Sequence, residues 1–393
     1  MSLSPPYIIL ISRYGALSTR ENTVLQKTLS RILGCALLSY GSTALAFTLI
    51  TIPPELAPSN TFTDSLTLQT QVQPIVGTIR SQIFGLRRPG SSKQVTQVGG
   101  LKLAANDRSG TSSDVNYLAA AANDPSGAGS GSSGGNAQSL WISSTTDSLE
   151  NTFFRTAFYG ATQNVLVGYD FTRSDKYVLG ISGGYEASNF VTKFNAGNEK
   201  TGGYNLNPYF AWLISDAWSL DLIAGYGKFN TDQSRTVGIG ALTSAAVDSN
   251  FSSKRGFAST NLTNVSTRGN WKLTGSLGFL WSKRNQDAYT ENGGGAIAAS
   301  KQTSEQWNLL GEAAYGRGNS ETFFGARYED IRNYQKIEFA AGEQPANDPT
   351  SFLLTAGWRY FGKGLTASFV FNARAAQEQV RGYGVSMVLR ADL

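Results

Sequence analysis

The stretch Tyr177-Val-Leu-Gly-Ile-Ser-Gly-Gly-Tyr-Glu186 separates into two sets of side chains at alternate positions. Tyr177, Leu179, Ile181 and Tyr185 form an apolar set with an aromatic residue at each end, whereas small or polar residues dominate the other set. Successive side chains of a β-strand point to opposite faces of its sheet. The stretch therefore predicts a strand with one apolar face and one small or polar face.

The same alternation recurs through the C-terminal two-thirds of the chain. The apolar runs are about ten residues long, which is enough for a tilted strand to cross the hydrocarbon core of a bilayer. Aromatic residues end several runs, where rings would meet lipid headgroups. The pattern predicts twelve strands, of which the first and sixth alternate least clearly. These strands start near residues 139, 163, 176, 202, 217, 254, 270, 304, 321, 350, 364 and 381.

The polar face of these strands carries charged residues of both signs. A charge-mixed face suits a water-filled or helix-plugged lumen, whereas the core between two packed sheets is apolar. We therefore predict an all-β fold, a 12-stranded antiparallel transmembrane β-barrel over residues 138–393; a soluble β-sandwich or propeller is the alternative. Ten residues are predicted to line the lumen: Asp170, Glu186, Asp221, Lys272, Glu312, Arg327, Glu329, Arg359, Arg374 and Arg390.

The predicted connections alternate between short turns and longer loops. Turns are predicted near 173–175, 215–216, 268–269, 318–320 and 362–364, and loops near 149–161, 190–201, 232–252, 285–303 and 335–349. Short periplasmic turns and longer external loops are typical of barrels of the bacterial outer membrane. Lipid also requires such a sheet to close on itself, because an open edge would leave backbone groups unpaired.

Residues 1–46 are predicted to be an extended signal peptide. Lys27 and Arg31 precede a short apolar run that ends at Ala44-Leu45-Ala46, which is the order of a secretory signal cleaved after Ala46.

Beyond the signal peptide, residues 64–87 show apolar side chains at three- and four-residue spacing, which predicts a helix that Pro74 either kinks or begins. Residues 88–137 are rich in glycine and serine and predict a flexible linker.

The composition excludes several classes of function. The chain has no histidine, which removes Ser-His-Asp catalysis and histidine-containing zinc sites. The single cysteine, Cys35, cannot form an internal disulfide. The net charge of +5 is not gathered into long Lys/Arg runs, so nucleic-acid binding is not predicted. No cofactor or metal is predicted.

Several stretches carry a family resemblance. Residues 149–158, 164–171, 281–287, 307–315 and 357–361 resemble, in order, the autotransporter β-domain of type V secretion. The resemblance implies a barrel preceded by a helix that threads the pore, and an N-terminal passenger that crosses to the cell surface. Residues 47–63 would then be a short passenger remnant and residues 64–87 the pore helix.

Some members of that family cleave their own pore helix at an Asn-Asp or Asn-Asn bond. Asn106-Asp107 and Asn123-Asp124 match those residue types. The alternative is that both are turn dipeptides in a loose linker, since Asn and Asp favour turns.

Three classes of function remain open from the sequence. The first is a translocator that carries or anchors a short N-terminal segment. The second is a surface protein or pore without a passenger, whose lumen or loops carry the activity. The third is an outer-membrane enzyme, which the lack of histidine disfavours. The expected partners are outer-membrane lipid, the barrel-assembly machinery and the chain's own N-terminal segment in the pore, with the protein a monomer.

Overall fold

A computed structural model describes residues 47–50, 56–85, 95–98, 101–104, 137–173, 176–239, 243–332, 336–346, 348–362 and 364–393. Three predictions fall outside these residues and stay predictions: the signal peptide at 1–46, most of the linker at 88–137, and both dipeptides, Asn106-Asp107 and Asn123-Asp124.

Twelve antiparallel strands form a closed barrel, which confirms the predicted fold class. Each strand pairs with the next along the chain, and the last strand pairs with the first, so that Asp392 lies opposite Ser139. The strands are β1 (Ala137–Asn151), β2 (Phe158–Arg173), β3 (Tyr177–Thr192), β4 (Gly197–Leu213), β5 (Trp218–Ile239), β6 (Thr243–Arg268), β7 (Trp271–Gln286), β8 (Ser300–Arg317), β9 (Ser320–Arg332), β10 (Thr350–Phe361), β11 (Leu365–Ala375) and β12 (Val380–Asp392).

The outer surface of the barrel is apolar. Leu179, Ile181, Leu222, Leu273 and Leu277 are about half exposed, although they lie in the middle of their strands. An exposed apolar surface that runs around a barrel is stable in lipid and would aggregate in water. The alternation in the sequence therefore separates lipid-facing from lumen-facing side chains.

Aromatic residues border this apolar surface in two belts. On each of five strands, one aromatic residue lies in one belt and a second, eight positions along the same strand, lies in the other belt. Eight positions span about 26 Å along a strand, or about 20 Å across the membrane at a tilt of about 40°. The turn-side belt contains Tyr177, Trp212, Trp218, Trp271 and Tyr315, and the loop-side belt contains Tyr185, Tyr204, Tyr226, Phe279 and Trp307.

The two ends of the barrel differ. At one end, the turn end, the strands are joined at 174–176, 214–217, 269–270, 318–319 and 362–364, and β1 starts and β12 ends there. At the other end, the loop end, the connections include 152–157, 287–299 and 333–349. The loops predicted at 190–201 and 232–252 are wrong, since these segments mostly continue the strands.

The strand extensions have a physical reason. Beyond Tyr226, β5 continues to Ile239 with exposed polar residues such as Asn230 and Asp232 on its outer face. Phe229 and Thr231 point inward and are buried. The inward and outward alternation thus continues beyond the apolar band. Because the outward residues there are polar, the sequence of this segment has the composition of a loop.

A single helix, α1 (Asn60–Gly85), precedes the barrel among the described residues. It begins four residues before the predicted helix at 64–87, and Pro74 lies in its interior and not in its first turn. No helix in the described part of the chain is both long and apolar enough to span a membrane. Outside the barrel, the described residues also form three small strand pairs: Phe47–Ile50 with Lys336–Phe339, Val95–Val98 with Leu101–Ala104, and Tyr289–Thr290 with Ala296–Ile297.

Candidate functional site: the helix in the barrel lumen

One face of α1 is apolar and buried in the barrel. Leu68, Val72, Ile75 and Ile79 recur at three- and four-residue spacing, and each is at most 1% exposed. Side chains at that spacing form a continuous stripe on one side of a helix. The stripe packs in one cluster with inward-facing residues from each of β1 to β7: Trp141, Leu166, Val178, Tyr209, Ala211, Ile223, Phe257 and Leu280.

The helix runs from the loop end of the barrel to its turn end. At its start, Asn60 Nδ2 donates to Gln286 Oε1 at 2.6 Å, and Gln286 is the last residue of β7 at the loop end. Near its C-terminus, the carbonyl of Gln82 accepts from Arg390 Nη1 at 3.3 Å, close to the turn end of β12. The chain before α1 therefore leaves the barrel at the loop end.

Polar contacts hold the chain where it enters α1. Asn195, in the connection between β3 and β4, donates from Nδ2 to the carbonyl of Ala57 at 3.0 Å. Arg235 Nη1 donates to the carbonyl of Leu56 at 2.8 Å and pairs through Nη2 with Glu291 at 2.6 Å. Backbone carbonyls that side chains satisfy in this way fix the path of a segment without regular structure.

A cluster of aromatic side chains packs around the start of α1 at the loop end. The mouth cluster contains Phe62 of α1 with Phe153, Phe194 and Phe339 from three connections of the barrel. The rings of Phe62 and Phe194 meet edge to face with centroids 5.1 Å apart. The guanidinium carbon of Arg155 lies 3.8 Å from the centroid of the Phe339 ring, which adds a cation–π contact.

Replacing Asn195 with alanine is expected to free residues 56–59 without unfolding the barrel. The substitution leaves the Ala57 carbonyl without its side-chain donor, which costs about 1–3 kcal/mol and raises local opening about tenfold or more. Limited proteolysis of the folded protein should show faster cleavage at Leu56–Ser59. Asn198→Ala is the matched control, because Asn198 donates only to Asn189 at an exposed position. Equal cleavage rates in the two variants would contradict the role given to Asn195.

A buried ion pair crosses the lumen next to the middle of α1. Arg255 of β6 donates through two nitrogens to the carboxylate of Glu186 on β3, and both side chains are at most 3% exposed. Arg255 also donates to Gln71 Oε1 of α1 at 2.7 Å and stacks over the Phe229 ring at 4.3 Å. A paired guanidinium with a further acceptor satisfies most of its donors, which a buried charge requires.

Two clusters of charged side chains line the part of the barrel wall opposite the apolar stripe. In the first, Glu329 accepts from Arg327 at 2.8 Å and from Arg374 at 3.0 Å, and Arg327 also donates to Gln73 of α1. In the second, a network joins four side chains on β7 to β10: Lys272, Glu312, Glu321 and Arg359.

At the turn end, α1 contributes a charge of its own. Arg80 Nε donates to Asp221 Oδ1 at 3.2 Å, and its Nη2 donates to Ser259 and to the carbonyl of Thr260. Arg390 pairs with Asp170 at 3.4 Å beside the Gln82 carbonyl. The C-terminal half of the helix is thus tied to the wall by charged side chains.

Each of the ten residues predicted to line the lumen lies in one of these ion pairs, on the inner side of its strand. Residues that the sequence reasoning missed include Arg80, Arg255 and Glu321. Arg255 belongs to the blurred sixth strand, and inward alternation with Phe251 and Phe257 was the signal that could have found it.

The lumen is not filled evenly. The apolar stripe of α1 rests on β1 to β7, and a cavity of about 250 Å³ lies on the other side of the helix. Pro74, Gly77 and Ser81 of α1 face this cavity, and residues of β8 to β12 form much of its far wall. An added Cβ at Gly77 would meet no atom within 4 Å.

Comparisons with known proteins agree with this geometry. The family model described as Autotransporter beta-domain matches residues 140–315. By this match and by its fold, the barrel is of the autotransporter type. Such barrels lie in the bacterial outer membrane, with the short turns in the periplasm and the loop end at the cell surface.

Solved autotransporter barrels have a similar fold. The translocator domain of autotransporter NalP from Neisseria meningitidis matches with a TM-score of 0.52 and 16% identity, covering 65% of this chain and 88% of that chain. The β-domain of the Bordetella autotransporter BrkA also gives a TM-score of 0.52, with 14% identity over 65% of this chain and 100% of that chain. A search of curated proteins gave no match.

Proposed function

We propose that the autotransporter-type barrel carries the N-terminal segment of the chain to the cell surface and then holds it there through α1. The direction of α1 is the observation that supports this proposal. Asn60 lies at the loop end and Gln82 near the turn end, so the segment before the helix emerges on the surface side. The strand Phe47–Ile50 pairs with Lys336–Phe339 from the loop-end connection 333–349. This pairing supports a position at the same end for the start of the predicted passenger remnant.

The contacts of α1 favour anchoring over release. The apolar stripe, the mouth cluster, the Arg80–Asp221 ion pair and the hydrogen bond from Arg255 to Gln71 hold the helix at its start, its middle and near its end. A helix held by a buried apolar face and by desolvated charges leaves its site only at a large cost in free energy. We therefore expect the segment before Asn60 to stay attached to the barrel unless the chain is cleaved.

An epitope tag inserted between Ile50 and Thr51 is expected to bind antibody on intact cells. A matched tag between Gly269 and Asn270, in a turn at the opposite end, should be labelled only after the outer membrane is opened. Flow cytometry of intact and permeabilised cells compares the two. If the first tag also required permeabilisation, the proposed transport to the surface would be wrong.

Further parts of the proposal concern assembly. Residues 1–46 serve as the export signal, the barrel-assembly machinery inserts the strands, and outer-membrane lipid surrounds the apolar surface as the protein works as a monomer. The barrel acts as a transport and anchoring unit and not as an enzyme. The belts of aromatic residues support the contact with lipid, since such rings prefer the headgroup level.

A plugged pore is the second candidate function. The cavity of about 250 Å³ beside α1 favours it, because part of the lumen stays open next to the helix. The mouth cluster argues against free passage, since its buried rings pack around the chain where it enters α1 at the loop end. A pore function would therefore require the mouth cluster or the helix to move.

A further inference from the structure

Four lysines lie on the outer surface of the barrel near the loop end, on four neighbouring strands. Lys228 of β5, Lys254 of β6 and Lys301 of β8 are exposed, and Lys283 of β7 is half-buried. Together they form what we call the lysine patch. None of the four lies in the lumen, so the patch is separate from the contacts that hold α1.

The strand register brings these lysines together. Lys228 lies directly opposite Lys254 in the β5–β6 pair. Lys254 lies opposite Asn285, two positions from Lys283, and Asn285 lies in turn opposite Lys301. Directly opposed side chains have Cβ atoms about 5 Å apart and diagonal neighbours about 7–8 Å. Like charges at such distances repel each other and destabilise the sheet unless an anion lies between them.

Two outer carboxylates near the patch have other polar neighbours. Among the described residues, no carboxylate lies within ion-pair distance of the four lysines, whereas Lys193 and Lys272 each have a carboxylate partner. Glu305 lies directly opposite Arg332 in the β8–β9 register. Asp232 accepts from Asn250 at 2.5 Å.

The heights of Lys228 and Lys283 match lipid headgroups. Lys228 follows Tyr226 of the loop-side belt by two positions, and Lys283 follows Trp281 by two positions. Two positions correspond to about 7 Å along a strand. Because the belt marks the headgroup level, ammonium groups just beyond it reach the charged part of the outer leaflet.

The surface below the patch has an open notch. Gly256 lies opposite Tyr226 on one side and opposite Lys283 on the other. A Cβ added at Gly256 would meet only the Gly225 carbonyl oxygen, at 3.8 Å. In the notch, Gly256 forms the base, Tyr226 one side and Lys283 the other side. Lys228 and Lys254 lie next to it on the side of the loop end.

We propose that the lysine patch and this notch bind the phosphate-bearing headgroup of a lipid in the outer leaflet. Ammonium groups bind phosphate as point charges, and two or more around one phosphate neutralise it. The bound phosphate removes the repulsion between Lys228 and Lys254, while the notch receives the adjoining part of the headgroup. The inference concerns the outer surface and does not depend on transport through the lumen.

Native mass spectrometry of the folded full chain in detergent tests the proposal with lipid A that carries two phosphates, one phosphate or none. We expect retention to increase with the number of phosphates. A lysine near a charged membrane surface contributes about fivefold in affinity, so the double variant Lys228→Gln/Lys254→Gln is expected to bind the doubly phosphorylated lipid about 25-fold more weakly. Lys228→Arg/Lys254→Arg should restore most of the binding.

Lys176→Gln/Lys200→Gln is the matched control, since it also removes two positive charges, but outside the patch. Lys176 lies at the turn end, and Lys200 lies opposite Asp232. Retained gel mobility of unheated samples shows that every variant is folded. Equal weakening by the two double variants would overturn the proposal, as would binding that ignores the number of phosphates. Full displacement of the lipid by equimolar inorganic phosphate would also overturn it, because the site would then select free phosphate.

Discussion

Replacing Arg255 with methionine is expected to lower the free energy of unfolding of the barrel by about 3–5 kcal/mol, because the variant leaves the Glu186 carboxylate buried without its partner. The two side chains are at most 3% exposed and pair through two guanidinium nitrogens. Gln71 of α1 loses its donor in the same step. Urea unfolding in lipid vesicles, followed by tryptophan fluorescence, measures the change.

Two further variants identify the cause. Arg255→Met/Glu186→Leu removes both charges and is expected to recover most of the loss, since an apolar pair of similar volume often replaces a buried ion pair without cost. Lys193→Ala breaks the exposed pair with Glu150 at 3.9 Å and is expected to cost less than about 1 kcal/mol. If Arg255→Met also lowered the free energy of unfolding by less than about 1 kcal/mol, the Arg255–Glu186 pair would not stabilise the barrel.

Replacing both Ile75 and Ile79 with aspartate is expected to expel α1 from the lumen. Both side chains are fully buried against the inner wall, and each new carboxylate would lose several kcal/mol of hydration there. A change of about 5.5 kcal/mol in the free-energy difference between two states is enough to reverse their populations from 1:99 to 99:1, here those with α1 inside and outside the lumen. Conductance of the variant in planar bilayers should therefore rise well above that of the native protein, whose lumen holds α1.

Gly77→Asp/Ser81→Asp provides the matched control for the helix. These positions face the cavity of about 250 Å³, where added carboxylates can stay hydrated. The control is expected to keep α1 in place and the conductance low. Equal conductance in the two double variants would mean that the apolar stripe does not hold the helix.

The sequence predicted the barrel well because lipid and lumen impose opposite demands on alternate residues. In β3, Tyr177, Leu179 and Ile181 face outward while Ser182 and Glu186 face inward, as the pattern requires. The alternation was least clear in β1 and β6, and in β1 the inward face carries Trp141 and Leu149. The reason is α1, because an apolar helix in the lumen makes part of the inner wall apolar as well.

The pairings inside the lumen could not be predicted from one sequence. Arg255 and Glu186 are separated by 69 positions and meet only because the barrel curves around α1. The start of the helix at Asn60 was missed for a related reason. Asn60 and Thr63 are held by Gln286 and Glu199 of the barrel, so the wall and not a helical apolar pattern fixes the first turn.

The uneven packing of α1 has a consequence for the order of assembly. All the barrel residues that pack in one cluster with its apolar stripe come from β1 to β7, which precede the other five strands along the chain. A half-built wall of seven strands already offers the whole apolar surface on which this stripe packs. We expect the helix to dock there first and β8 to β12 to close around it afterwards, so that the seam between β12 and β1 seals a lumen that is already occupied.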